Sequence, residues 1–93
     1  MIKSFKDKET AKIYAAEFSR KLPKQIQQRV REKLVLLAAA EELRDLLMPP
    51  GNFLEALKGD RVGQHSIRIN QQWRVCFRWE ANNAHEVEIV DYH

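Results

Sequence analysis

The chain is poor in three residue types. It has one cysteine, three glycines and three prolines in 93 residues. A lone cysteine, Cys76, excludes an intramolecular disulfide and fits a reducing compartment. So little glycine and proline excludes collagen-like and low-complexity chains. No stretch approaches the ~20 apolar residues of a membrane-spanning helix. Met1-Ile2 runs at once into Lys3, without the apolar run of a secretory leader. The expected location is therefore cytoplasmic, with no membrane partner. Neither His65 nor His85 stands at metal-ligand spacing from His93 or Cys76, so no metal site is expected. There is no glycine-rich phosphate loop and no GxSxG.

What is present is globular. Hydrophobic residues make up 44% and charged residues 31%, the balance of a folded chain. The length predicts a single domain, 1–93, with one small core. The net charge of +3 is unevenly spread. Residues 1–50 carry 11 Lys/Arg against 7 Asp/Glu, and residues 51–93 carry 5 against 6. All five of those later cations fall between Lys58 and Arg78, where Asp60 is the only acid. An isoelectric point near 9.2 agrees with a polyanionic partner.

Two periodicities divide the chain. Ile2–Phe5 is a candidate edge strand. Asp7 is a plausible N-cap, after which Ala11, Tyr14, Ala15 and Phe18 recur at helical spacing. Ser19 to Leu22 breaks the pattern, and Pro23 suits the first turn of a second helix. Ile26, Val30, Leu34, Leu37 and Ala38 form its apolar stripe, to about Ala40. A weaker turn carries Leu43, Leu46 and Leu47. Pro49-Pro50-Gly51-Asn52 then stops all helix.

Beyond residue 52 the period becomes two. Phe53–Leu57 is a possible strand and 59–63 a turn. Ile67 and Ile69 share one face, Ser66 and Arg68 the other. Trp73, Val75, Phe77 and Trp79 alternate with Arg74, Cys76 and Arg78, the clearest amphipathic strand. Asn82-Asn83 suits a hairpin turn, and Glu86–Val90 the last strand. The fold class is α+β: two N-terminal helices packed on one face of a small, mainly antiparallel sheet of four to five strands.

The helices are predicted to cover the Trp73/Phe77 face and to leave Arg68, Arg74 and Arg78 on the other. Arginine holds phosphate with a planar, permanently charged fork. Arg68 and Arg74 on neighbouring strands suit a clamp for one phosphate. The same arginines also suit a solvated face with ion pairs to Glu86 or Glu88. Lys58 in the Lys58-Gly59-Asp60-Arg61 turn is a further phosphate candidate. Arg20, Lys21, Lys24, Arg29, Arg31 and Lys33 make the loop and second helix basic, suited either to a nucleic acid backbone or to a solvated helix face. Lys24 and Arg31, with Arg61 and Arg78, are the candidate contacts to RNA or ribosome. Arg74 and Arg78 flank Cys76 and could lower its thiol pKa, although small-residue packing also accounts for it. Asp91-Tyr92-His93 brings together an acid, a phenol and an imidazole, the groups of general acid–base catalysis. Strict alternation, however, puts Asp91 with Ile89 and Tyr92 with Val90. The two cannot both face the arginines without a bulge or a chain-end twist.

Taken together, several segments resemble the HigB ("proteic killer") toxins of the RelE/ParE superfamily. They are Leu54-Glu55-x-Leu57-x-Gly59-x-Arg61-x-Gly63-Gln64-x-Ser66-Ile67-Arg68-Ile69-Asn70, Gln72-Trp73-Arg74-Val75-Cys76-Phe77-x-Trp79 and Val87-Glu88-Ile89-Val90-Asp91-Tyr92-His93. The resemblance implies a RelE-like fold and a type II toxin, monomeric when free. Its partner would be a HigA-type helix-turn-helix antitoxin, in a higher-order complex. It implies cleavage of mRNA in the ribosomal A site by a ribose 2′-OH, with neither metal nor cofactor. Arg68 and Arg74 would bind the phosphate, Lys58 would assist, and Asp91, Tyr92 and His93 would orient groups or exchange protons. Some members carry a histidine shortly before the lysine matching Lys58. Here Glu55-Ala56-Leu57 stands instead, with Glu55 either a base or a solvated side chain. The alternative is a non-nucleolytic toxin on the same scaffold, such as a ParE-like gyrase poison, or an RNA- or ribosome-binding module.

Overall fold

The computed structural model describes residues 1–91. Helix α1 spans Lys8–Tyr14 and α2 spans Lys24–Ala39. Four strands follow: β1 Glu55–Ala56, β2 Gln64–Arg68, β3 Trp73–Glu80 and β4 Asn83–Asp91. They form one antiparallel sheet in the order β1-β2-β3-β4. The N-terminal segment lies parallel to β4 through isolated bridges, Ile2 to Ala84 and Phe5 to Val87. The edge strand expected there is thus reduced to two pairing points. Among the described residues no helix is long and apolar enough to cross a membrane.

Helix α1 starts where Asp7 accepts the Thr10 N–H at 2.7 Å, satisfying one of the orphan donors of a first turn. It ends earlier than the spacing of Tyr14 and Phe18 predicts. Ala16 turns left-handed (φ 64), and the Glu17 N–H reaches back to the Lys12 carbonyl, the closure of a Schellman motif. Phe18 is consequently exposed and not part of a helical stripe. The loop to α2 is held from inside by Gln27. Its amide donates to the carbonyls of Ser19 and Leu22 and accepts the Ser19 N–H. Pro23 occupies the N-cap of α2 rather than its first turn.

Val30, Leu34 and Leu37 of α2 are fully buried against Ile67, Val75, Phe77 and Val87 of the sheet. Each such side chain contributes about 1.5–3 kcal/mol on leaving water. Trp73, Trp79 and Ile89 pack at the margin, so the helices cover the face that the alternation assigned to them. After α2 the chain makes a short 3₁₀ turn, Leu43–Leu47, where Asp45 accepts the backbone N–H groups of Glu41 and Glu42. Those bonds, Glu42 first, hold its carboxyl below the usual range. A depressed folded pKa stabilises above the unfolded value and is lost as pH falls through the folded one. Asp45→Asn is therefore expected to lower the Tm at pH 7 and to flatten the further drop below about pH 4. Thermal melts of the two proteins across that range check it; parallel curves would remove Asp45 from the acid response.

Two details of the sheet depart from expectation. The β3–β4 turn is made by Ala81 and Asn82, not Asn82-Asn83. Both residues are left-handed (φ 50 and 60), as a two-residue type I′ turn demands, and Glu80 pairs with Asn83 across it. The strand expected over Phe53–Leu57 is only two residues long, because Phe53 is itself left-handed (φ 43, ψ 55).

Candidate active site and a cationic cleft

Arg68 and Arg74 are direct cross-strand partners. Ile67 pairs with Val75 on the core side, so alternation places the arginines on the face away from the helices. Like charges directly opposite one another are destabilising, and the surroundings offset this. Arg74 Nε donates to Ser66 Oγ at 2.7 Å, and its Nη2 donates to the Phe53 carbonyl. Arg68 Nε donates to the Asn70 carbonyl at 3.1 Å, and its guanidinium carbon lies 5.1 Å from the centre of the Phe53 ring. Phe53 thus holds one arginine with its backbone and the other with its ring. A left-handed conformation is costly for such a residue, and the loop around it is pinned. Asn52 is fully buried, donates to the carbonyls of Leu46 and Met48, and accepts from Lys33.

Other candidates share this face without joining the pair. Glu55 pairs with Ser66 and so emerges on the arginine side, exposed. Lys58 is exposed at the start of the 3₁₀ turn Gly59–Arg61. Arg61 reaches Glu88 at 3.0 Å and Gln64 at 3.0 Å, while Lys6 approaches the same Glu88 oxygen at 3.4 Å. Arg78 pairs with Glu80 at 3.0 Å and Glu86 at 3.4 Å. It lies four residues from Arg74 on β3, about 13 Å away. Arg61 and Arg78 therefore hold ion pairs to Glu88 and Glu86, the other arrangement open to this face. Cys76, between Arg74 and Arg78, is fully buried. Burial pushes its thiol pKa up, against the nearby charges of Arg61 and Arg74, so a lowered pKa is not found.

The β4 register decides the place of Asp91. Glu86 is an extra residue with φ 51, and the ladder shifts there. Beyond it Val90 pairs with Arg74, and Asp91 pairs with Trp73. Asp91 thus stands at the same end of the sheet as the arginine pair but on the side of Ile89 and Trp73, where it accepts from Gln72 Nε2 at 3.1 Å. Tyr92 and His93 lie outside the described residues. Of the other histidines, His65 pairs with Phe77 on the core side, its ring stacked 6.1 Å away. Burial holds its pKa down. His85 pairs with Arg78 at the distant end.

The cations of α2 divide by flank. Lys24 and Arg31 are exposed, and Arg31 lines a depression with Phe18 and Gln27. On the other flank Arg29 and Lys33, one turn apart, line a cleft of about 450 Å³ with Phe53, Arg68 and Asn70. Arg29 and Lys33 belong to the basic run of the second helix expected to approach a nucleic acid backbone, whereas nothing in the sequence marks Phe53 as a site residue. The four-residue spacing of the two cations was the available signal.

Comparison with known proteins gives the chain's family and fold relatives. Residues 3–93 match the family model of the HigB-like toxins, described as the RelE-like toxin of type II toxin–antitoxin system HigB. The chain is 40% identical over 80 residues to Toxin HigB-1 of Vibrio cholerae, covering 85% of this chain and 84% of that one. It is 32% identical over 93 residues to Endoribonuclease HigB of Proteus vulgaris, covering both in full. Its fold is similar to that of the YoeB–YefM complex from Staphylococcus aureus, with TM-score 0.62 at 18% identity, covering 100% of this chain and 98% of that one. The chain belongs to the HigB-like family, the RelE-like toxins of type II toxin–antitoxin systems.

Proposed function

We propose that this toxin is an endoribonuclease that cuts mRNA in the ribosomal A site and so stops translation. The observation that carries the reading is the Arg68–Arg74 pair, fixed on Phe53 on the helix-free face. Endoribonuclease activity is further supported by full-length similarity to a protein named for it. In the proposed reaction a ribose 2′-oxygen forms a bond to the adjacent phosphorus, and the bond from phosphorus to the 5′-oxygen breaks. The 2′-proton passes to a base, and the leaving 5′-oxygen takes a proton. Arg68 and Arg74 hold the phosphate oxygens, where fixed donors act most strongly on developing charge. Lys58 adds positive charge, and Asp91, Tyr92 and His93 orient groups or carry protons. Lys24, Arg31, Arg61 and Arg78 are proposed contacts to RNA or ribosome. A HigA-type helix-turn-helix antitoxin neutralises the toxin, and the place of action is the cytoplasm.

Cleavage is expected to require the ribosome. A net charge of +3 supports only weak binding to free RNA at physiological salt. The ribosome supplies the orientation that lowers the barrier of a positioned reaction. Purified toxin should cut mRNA at codon-linked positions with ribosomes and leave the same RNA intact without them, read by primer extension. Efficient cutting of naked mRNA would overturn the requirement. An SOS response without cuts would favour a gyrase poison.

A further inference from the structure

The cleft beside α2 has the chemistry of an anion site. Arg29, Lys33 and Arg68 line it, and no acidic side chain does. Among the described residues the Arg29 side chain has no hydrogen bond or ion pair, and the Arg68 side chain donates one hydrogen bond, from Nε to the Asn70 carbonyl, with its guanidinium over the edge of the cleft at Phe53. Lys33 is anchored by Asn52, so its ammonium is fixed rather than swinging in solvent. Burial and the neighbouring Arg29 push its pKa down, with Glu32 opposing. An anion in the cleft relieves that repulsion. The lining also includes an exposed aromatic ring, Phe53, and the turn amides Asn70 and Gln71. A volume of about 450 Å³ exceeds the needs of a bare phosphate and falls among small-ligand sites.

We propose that this cleft is a second nucleotide subsite. It takes the nucleotide next to the cut in the substrate strand, its phosphate on Arg29, Lys33 and Arg68 and its base against Phe53. The proposal rests on the endoribonuclease reading and names a further part of its substrate path. Arg68 belongs to both subsites, because it pairs with Arg74 on the sheet and lines the cleft. Consecutive phosphates of one strand would then share it. Base stacking on an aromatic ring tolerates any base, so this subsite contributes grip rather than sequence choice.

The test uses a short single-stranded oligonucleotide carrying a 2′-deoxyribose at the cut position, so that it binds without being cleaved. Fluorescence anisotropy between low and moderate salt compares wild type with Arg29→Ala. The Arg29 side chain is exposed and makes no hydrogen bond or ion pair within the described residues, so the variant should fold, and a thermal melt verifies this. Expected are roughly 5-fold weaker binding and a salt slope smaller by about 0.7, one phosphate contact on a single strand. A scan of neutral methylphosphonate linkages adds position. Wild type should be sensitive at two neighbouring linkages, and Arg29→Ala at only one. Unchanged affinity, slope and linkage profile would overturn the subsite. So would a variant that binds the oligonucleotide normally but loses affinity for empty ribosomes, since ribosomal RNA would then fill the cleft. The readout does not depend on cleavage. Normal subsite behaviour in a toxin that leaves ribosome-bound mRNA intact would instead sink the nuclease reading.

Discussion

Arg74→Ala is expected to slow cleavage of ribosome-bound mRNA about 100- to 1,000-fold under single-turnover conditions, by analogy with loss of one fixed oxyanion donor. That corresponds to roughly 2.7–4 kcal/mol of transition-state stabilisation. The side chain has two tasks. Its charge faces the proposed phosphate, and its Nε and Nη2 hold Ser66 Oγ and the Phe53 carbonyl. Arg74→Lys separates them, because lysine restores charge without the planar fork. It should recover only part of the rate. Arg68→Ala is expected to lose cleavage too, since Arg68 pairs directly with Arg74. Neither side chain belongs to the hydrophobic core, so both variants should remain folded. Measuring rate beside Tm decides the matter: a variant that stays fully active, or one that simply unfolds, removes that arginine from the phosphate clamp.

Deletion of His93 should abolish cleavage while barely changing the Tm. The reaction needs a group that exchanges protons near neutral pH, and imidazole is the ordinary choice. The structure narrows the candidates. His65 is stacked on Phe77 on the core side with its pKa held down by burial. His85 pairs with Arg78, about 13 Å along the strand from the arginine pair. His93, which lies outside the described residues, is the remaining imidazole. His93→Ala should match the deletion, and a C-terminal tag should weaken cutting. Wild-type cutting by the deletion variant would move the proton-transfer role to Asp91, Tyr92 or Glu55.

The sheet was legible because its two faces differ in chemistry at every step. Tryptophan, valine and phenylalanine alternate with arginine and cysteine along β3, and a one-residue slip would bury Arg74 and Arg78. Helix α2 was legible through Val30, Leu34 and Leu37. The end of α1 was not, because Ala16 takes the left-handed turn that glycine normally announces. The period of two beyond residue 52 puts Phe53 at the start of a possible strand, while its backbone follows the buried Asn52 and its bond to Arg74. The pairing of Arg68 with Arg74 was visible as two arginines on neighbouring strands. Their contact with Phe53, and the approach of Arg29 and Lys33 to Arg68, arise from tertiary packing of distant segments, which no local period records.

The extra residue at Glu86 acts as a parity device. Ala84 faces the core, and without the insertion Glu86 and Glu88 would follow it inward. With it, Val87 and Ile89 do so instead, and Glu88 and Val90 emerge beside Cys76 and Arg74. Every later position of β4 inherits its facing from that count. Length along 83–87 is therefore held as firmly as the buried side chains of Ala84 and Val87. A single inserted or lost codon there would exchange the inner and outer rows of the strand, an error that no substitution at the affected positions could repair singly.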